Sequence, residues 1–348
     1  MDCDVLVVGA GPAGLSAAFF LSSQSRLDVV VADRLEGEAY RRYHRTCGAG
    51  ISRAAFREIR PLEPDPVLNE ISSLDIVWPD GTEIRLGTEG YILDRPAFLT
   101  GIRGRAVESG ASFVSGRVAG ITRNGRGYTA RMSSGEEIVC RYVIGADGAN
   151  SVVRKDLFGT SAAEVVPATE YIVDRDPPDG FVFRVGERYR GGYMWEFPCG
   201  SMTCTGATRG SHQETGYVFK GGRMIPIGGV GRIVEGNALL AGDSAGMANP
   251  VSFGGLRTAL VSGRRAAEAV IGGDPRRYER WWARSPLSSP RFMNFHRRMA
   301  SWTDEEMNRA VKPFSRGYVY LSGAWASLTR PRYIDMYWGC LFSFRYSW

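Results

Sequence analysis

Asp4-Val5-Leu6-Val7-Val8 is a short apolar, β-branched run that breaks straight into Gly9-Ala10-Gly11-Pro12-Ala13-Gly14, and few folds accommodate that order. An apolar run of this length, bounded by polar residues and glycine, reads as a buried parallel strand. Beyond the glycines, Leu15, Ala17, Ala18 and Leu21 sit among small helix formers, and Val29-Val30-Val31 makes a second strand that ends at Asp33. Strand, turn, helix, strand and acid together specify a dinucleotide-binding unit. Gly9 permits the tight turn, Gly11 lets backbone approach a pyrophosphate, and Gly14 lets the helix pack close to the sheet. Ala13 lies in the first helical turn, where unpaired N–H groups and a partial positive charge face the phosphates. Asp33 follows the turn by about twenty residues, placed to accept hydrogen bonds from ribose hydroxyls, with Arg34 beside it in the same site.

The 348 residues suit two lobes plus an extension. A hydrophobic share of 44% and a charged share of 23% are those of an ordinary globular chain, so disorder is not the default. No stretch approaches the roughly eighteen uninterrupted apolar residues of a membrane span, and a strand begins at once with no basic leader, so a cytoplasmic location is expected. Cysteines at 3, 47, 140, 199, 204 and 340 contain no C-x-x-C pair, which disfavours zinc, iron–sulfur and disulfide-scaffold chemistry. His44, His212 and His296 have no spacing suited to a metal or a triad, and no metal is expected. The net charge of +6 is carried almost wholly by arginine, since Lys155, Lys220 and Lys312 are the only lysines. Such a surplus suits anionic lipid headgroups or an acidic donor protein, although most of these arginines read as solvated surface; no nucleic-acid partner is expected.

Farther along, residues 36–45 are polar and arginine-rich, and Thr46-Cys47-Gly48-Ala49-Gly50 is small enough to let backbone come close to a flat ligand. Leu74 to Trp78 and Glu83 to Leu86 read as a hairpin through Pro79-Asp80-Gly81. Pro96 suits the first turn of a helix carrying Leu99, Ile102 and Ala106. Short strands are expected around 113–114, 118–121, 128–132, 137–139 and 141–144, the last leading into Gly145-Ala146-Asp147-Gly148. From about 163 to 222 strand-like runs with aromatics and glycines predict an antiparallel second lobe. Ala238 to Ala241 returns to a parallel-type strand, a helix follows from Gly255 to Ile271, and the remainder reads as helices with exposed-looking aromatics, among them Trp281, Trp282, Trp302, Tyr318, Tyr320 and Trp325.

Three ordered signatures, Gly9-x-Gly11-x-x-Gly14, Gly145-Ala146-Asp147-Gly148 and Ala241-Gly242-Asp243-Ser244-Ala245-Gly246, make the chain to about residue 270 resemble the FAD-binding flavoproteins of the para-hydroxybenzoate hydroxylase fold. The resemblance implies a Rossmann-like FAD-binding domain assembled from discontinuous segments (1–71, 92–162 and 223–278); with the strand and helix patterns above, the expected architecture is α/β, with an inserted antiparallel β-sheet substrate domain (72–91 and 163–222) and a helical C-terminal extension (279–348). It implies that Asp243 meets the ribityl chain, Arg95 the phosphates and Val118 the adenine. Arg45, Gly48, Ala49, Gly50, Asp147, Gly254, Gly255 and Leu256 complete the cofactor set. A plain alternative for Asp147 is a cap on a helix starting near Ser151.

Tyr193-x-Trp195-x-Phe197-Pro198, Arg45-x-Cys47-Gly48 and the run from Gly242 to Pro250 resemble the geranylgeranyl reductase family, whose members saturate isoprenoid double bonds. Alternation along a strand projects Tyr193, Trp195 and Phe197 from one sheet face, where with Pro198 they form either a dry slot for a hydrocarbon chain or an aromatic core ridge. The implied substrate is a polyprenyl lipid or prenyl quinone, the electron donor NAD(P)H or a small acidic carrier, and peripheral membrane contact is expected. Cys47 and Tyr193 are candidate proton donors; the alternatives are a packed thiol and a hydroxyl bonded to backbone. The sequence departs from the family at Phe253, where glycine is common, at Gly254, where an acid is common, and in a short segment between Arg209 and Gly221. The competing functions are an FAD-dependent aromatic monooxygenase and a non-catalytic flavin- or lipid-binding protein. A halogenase would need a lysine between flavin and substrate, and no lysine precedes Lys155.

Overall fold

The computed structural model describes residues 1–125, 127–210, 212–314 and 319–346; Tyr318 and the side chains of Tyr320 and Cys340 lie outside what is described. The opening unit is β1 (Asp2–Val8), α1 (Pro12–Gln24) and β2 (Val29–Asp33), with β1 and β2 parallel. α2 (Gly37–Arg45) follows within the polar stretch; only Tyr40 and His44, one turn apart, point inward. Then come β3 (Gly50–Ser52), α3 (Ala55–Glu58), the hairpin β4 (Val67–Val77) and β5 (Glu83–Leu93), and α4 (Arg95–Glu108). Asp94 caps α4 by accepting the Ala97 N–H at 3.1 Å, with Pro96 in the first turn, where its missing N–H costs nothing.

β6 (Ser112–Ser115) pairs with β2, and β7 (Val118–Asn124), β8 (Gly127–Met132) and β9 (Glu137–Gly145) form a meander. β9 is one continuous strand where two were expected, because it pairs with β1 from Asp2 to Val8 as well as with β8. β10 (Glu164–Val173), β11 (Phe181–Arg184), β12 (Met194–Cys199), β13 (Met202–Thr208) and β14 (Tyr217–Ile227) build the second sheet. β15 (Val234–Glu235) and β16 (Ala238–Leu240) return to the first, and α5 (Leu256–Ile271) crosses back over α1.

The first sheet runs β15-β16-β9-β1-β2-β6, with β8 and β7 attached to β9. Its strands β16, β9, β1, β2 and β6 are parallel, buried by α1, α4 and α5 on one side, and read as near-continuous apolar runs for that reason. The second sheet runs β14-β10-β13-β12-β11-β4-β5-β3. It is antiparallel except where β11 meets β4, a parallel pair formed because the hairpin arrives from the N-terminal half of the chain. Sheet membership reaches beyond the expected segments: β4 starts at Val67, β5 ends at Leu93, β14 continues to Ile227 and β3 adds an edge.

α6 (Arg276–Arg284) packs on the first core, where the Tyr278 hydroxyl donates to the Leu240 carbonyl at 2.8 Å. α7 (Pro290–Ser301), α8 (Asp304–Val311), α9 (Val319–Thr329) and α10 (Ile334–Tyr346) join the second core instead. Most of the aromatics expected on the surface here are packed: Trp281 and Trp282 lie against the first core and Trp302 against the second, whereas Trp325 is 59% exposed. Which aromatics turn inward is set by the packing of each helix, which composition alone does not reveal.

Candidate active site

The two sheets and the loops between them enclose a cavity of about 600 Å³, within the range of small-molecule and cofactor sites. One end is built from the opening unit. Gly9, at φ +98°, has no room for a side chain, since a Cβ would lie 2.5 Å from the Ala146 carbonyl oxygen. Gly14 lets α1 press on that turn; its Cβ would fall 1.8 Å from the Gly9 oxygen. Gly11 differs, because a Cβ there meets only His44, at 3.7 Å, and points into open space. Gly11 is also the N-cap of α1 and offers no side-chain cap, so no side chain covers the first turn, and Ala13 of that turn lines the cavity.

Asp33 ends β2 at the cavity wall. Its carboxylate accepts the N–H of Ala10 and, at 2.7 Å, that of Leu35, which fixes the side chain and leaves lone pairs for a ligand. Arg34, Arg117 and Val118 line the same end, and Arg95 stands between it and the middle. Three buried nitrogens on this wall have no hydrogen-bond partner among the described residues: His44 Nδ1, Arg95 Nε and Arg223 Nη2. Buried donors are rarely left unpaired, so a polar, anionic ligand fits here. Burial and the neighbouring Arg95 and Arg223 push His44 down to about 2, so the imidazole is neutral.

Asp147 takes the capping position and also borders the cavity. One oxygen, Oδ2, accepts the N–H groups of Val152 at 2.6 Å and Val153 at 3.3 Å, and the residue also lines the cavity. Asp243 projects from the turn after β16. That turn is held by Ser244, whose hydroxyl donates to the Gly145 carbonyl, and by Arg154, which donates to the Ser244 carbonyl at 2.9 Å and the Ala149 carbonyl at 2.6 Å. Burial raises the Asp243 carboxyl, opposed by Arg95, Arg223 and Arg154. Gly254, Gly255 and Leu256 bring the N-terminus of α5 to the cavity, again with no side-chain cap.

The other end is apolar. Tyr193, Trp195 and Phe197 face it from one side of β12, and Phe181 and Phe183 extend the wall from β11. The ring centroids form a chain: Phe181 to Phe197 at 4.4 Å, Phe183 to Tyr193 at 4.8 Å and Tyr193 to Phe253 at 5.5 Å. Gly48, Ala49 and Gly50 lie against this wall. A Cβ on Gly48 would sit 2.5 Å from the Phe197 ring and one on Gly50 2.6 Å from the Phe181 ring, so their close approach is to protein rings as well as to the cavity. Phe253 holds φ +50°, the left-handed conformation that glycine takes without strain, and its buried ring fills the space between Tyr193 and His296. The second lobe passes from β13 to β14 through residues 209–216 without a helix among the described residues.

Among the predicted site residues, Gly14, Arg45 and Pro198 do not line the cavity. Gly14 serves helix packing, the Arg45 guanidinium lies 5.1 Å from the centroid of the Phe219 ring, and Pro198 is buried in the β12–β13 pair opposite Thr203. The Tyr193 hydroxyl donates to the Ser252 carbonyl, and burial raises its pKa. Cys47 presents its sulfur as acceptor for the Ala49 N–H at 3.4 Å and its own N–H to Glu170 Oε1 at 3.0 Å. Glu170, Arg223, Phe181 and Phe183 are cavity residues that sequence reasoning passes over, and His44, expected at most near the cofactor, lines the cavity too. Only the Phe181-Val182-Phe183 alternation carried a usable signal. No group of three or more potential metal ligands occurs among the described residues.

A parallel sheet with a glycine turn at its carboxyl edge, sharing a cavity with an aromatic-faced second sheet, defines an FAD-dependent oxidoreductase. A family profile described as lycopene cyclase protein matches residues 4–164. Digeranylgeranylglycerophospholipid reductase 1 of Methanopyrus kandleri is 31% identical over 316 residues, covering 78% of this chain and 81% of the relative. The chain belongs to the digeranylgeranylglycerophospholipid reductase family. Among solved structures, a geranylgeranyl bacteriochlorophyll reductase-like protein from Thermoplasma acidophilum superposes with a TM-score of 0.79 at 21% identity, covering 96% of this chain and 98% of the other. An anhydrotetracycline hydroxylase from Streptomyces rimosus shares the fold at a TM-score of 0.66 and 20% identity, covering 93% and 75%.

Proposed function

We propose that this protein saturates isoprenoid carbon–carbon double bonds of a polyprenyl lipid or prenyl quinone, using FAD held between its two sheets. The observation that carries this is one cavity with two chemistries: unpaired donors around Gly11, Arg95 and Arg223 at one end, and the wall of Tyr193, Trp195, Phe197, Phe181 and Phe183 at the other. Reduced FAD supplies a hydride when bound. The chain's part is to hold it, through the α1 N-terminus, Asp33, Arg34, Arg95, Val118, Asp147, Asp243 and the loops at 48–50 and 254–256, and to lay an alkene against it in the absence of water. Each five-carbon unit buried along the aromatic wall contributes roughly 4 kcal/mol, at about 0.8 kcal/mol per CH₂, so two or three units hold a substrate without a hydrogen bond. The division into cofactor and substrate parts follows the two sheets.

Electrons arrive from NAD(P)H docking transiently or from a small acidic carrier. Contact with the lipid phase is peripheral: no described helix is long and apolar enough to cross a membrane, but Leu321, Trp325 and Leu328 stand exposed at helical spacing on α9. Next to them, Arg309, which also pairs with Glu305 at 3.3 Å, and Lys312, Arg330 and Arg332 line a cleft of about 530 Å³ with no acidic residue among the described residues of its wall, suited to anionic headgroups.

The test is a single turnover. Chemically reduced holoenzyme, kept free of oxygen, is mixed separately with a geranylgeranyl glycerophospholipid and with a prenyl quinone. Reoxidation of the flavin and a mass gain of two hydrogens per double bond are expected, and Trp195→Ala should slow reoxidation about tenfold or more while FAD stays bound. Reoxidation that requires oxygen and adds an oxygen atom to an aromatic substrate would establish the monooxygenase instead.

A further inference from the structure

Alkene reduction needs a proton as well as a hydride. The Tyr193 hydrogen is committed to the Ser252 carbonyl, and Cys47 accepts the Ala49 N–H at its sulfur and gives its own N–H to Glu170. A third group occupies the same cavity. Glu170 is only 3% exposed, in the middle of β10, between Gly206 of β13 and Gly221 of β14 in cross-strand register. Those two glycines shape its surroundings. The space above Gly206 is filled by the Trp195 indole, 2.3 Å from where a Cβ would stand, and that above Gly221 by Thr46, 2.1 Å from the corresponding point. Glu170 therefore opens onto the cavity between the aromatic wall and the loop at 46–50.

We propose that the Glu170 carboxyl holds the proton that the substrate takes up when its double bond is reduced. Two C–H bonds form: one from the hydride of the reduced flavin, which is oxidised, and one from the proton leaving Glu170, which remains as carboxylate until reprotonated from solvent. This rests on the isoprenoid-reductase assignment above. Burial pushes Glu170 up to about 7, opposed by hydrogen bonds from Cys204 and the Cys47 N–H and by the charges of Arg95 and Arg223. These groups, with Cys199 of β12, are the titratable and charged neighbours that face it from β13, the 46–50 loop, α4 and β14. The cations act through space and form no ion pair with it, so the acid stays available at neutral pH.

The experiment compares wild-type holoenzyme with Glu170→Gln, which keeps an acceptor for the Cys47 N–H but cannot titrate. In wild type, infrared difference spectra should show a carboxylic-acid C=O band that disappears as pH rises through about 7; Glu170→Gln should lack it. Single-turnover reoxidation by geranylgeranyl glycerophospholipid vesicles should fall over the same interval in wild type. In Glu170→Gln it should be slower by about 100-fold and flat with pH, at unchanged FAD content, with Glu170→Asp partly restoring both rate and pH dependence. An unaltered rate and pH profile in Glu170→Gln, or absence of the band, overturns the proposal and leaves the reductase assignment standing. Should Glu170→Gln not retain FAD, the wild-type profile decides, and a flat rate between about pH 6 and 8 overturns it. A band in wild type with no reoxidation by either isoprenoid class overturns the reductase assignment and the role of Glu170 with it.

Discussion

A buried carboxyl and a bare glycine show how much a single residue decides here. Because the Glu170 carboxyl is raised in the fold from the ordinary value of 4.5 to about 7, its contribution to stability is fully present below about 4.5 and is lost as pH rises through about 7. At about 1.4 kcal/mol per unit the loss amounts to about 3 kcal/mol. Glu170→Gln removes this dependence, so denaturant unfolding of the two proteins at about pH 4.5 and pH 8 should show wild type losing about 3 kcal/mol relative to the variant; parallel curves would contradict the assignment. Gly11 gives a cleaner test of the cofactor site than Gly9 or Gly14. A Cβ at Gly9 or Gly14 collides with backbone, whereas one at Gly11 meets only His44 at ordinary contact distance. Gly11→Val should therefore fold and emerge colourless, and a variant retaining stoichiometric flavin by absorbance would count heavily against the site.

At the scale of elements, what was legible in the sequence was what is local. The apolar run of β1, the small residues of α1, Asp94 and Pro96 before α4, and the alternation of Tyr193, Trp195 and Phe197 each carry their own signal within a few residues. α2 was not visible because Tyr40 and His44 are its only inward residues, too few for a period. Glu170 was invisible for another reason: its setting is made by Gly206, Gly221 and Trp195, which reach it only through strand pairing. The C-terminal helices lie between these cases. Their aromatics are plain in the sequence, but which face inward depends on packing, and among the described residues α9 presents a line of large apolar side chains to solvent, with Leu321 at 74% and Leu328 at 84% exposure. Each such side chain inserted in a lipid interface contributes roughly 1.5–3 kcal/mol. Sedimentation with anionic vesicles at low salt should carry the protein down, and Trp325→Glu with Leu328→Glu should leave it in the supernatant; equal partitioning of the two would place the contact elsewhere.

For the whole molecule, the cofactor and the fold depend on each other. The cavity draws its walls from both sheets and from α5, so a ligand held in it touches parts of the chain far apart in sequence. A ligand held at a hundredfold excess over its Kd stabilises the folded state by about 3 kcal/mol, which for a chain of this size is about 5 °C in Tm. Removing FAD should lower the melting temperature by that amount and adding it back should restore it; identical melting of the two forms would mean that the folded chain does not hold the flavin at such an affinity.

The contact of Gly48 with Phe197 and of Gly50 with Phe181 has a consequence for how such a chain can diversify. The two rings can shrink under mutation without disturbing the loop, but the loop cannot gain even a methyl group until a ring opposite has receded. Change is thus ordered in time. A lineage adapting its slot to bulkier chains must alter the second sheet before the loop beside the cofactor, and a chimera that takes the loop from a relative with alanine at 48 or 50 inherits a collision unless it takes the facing strand as well.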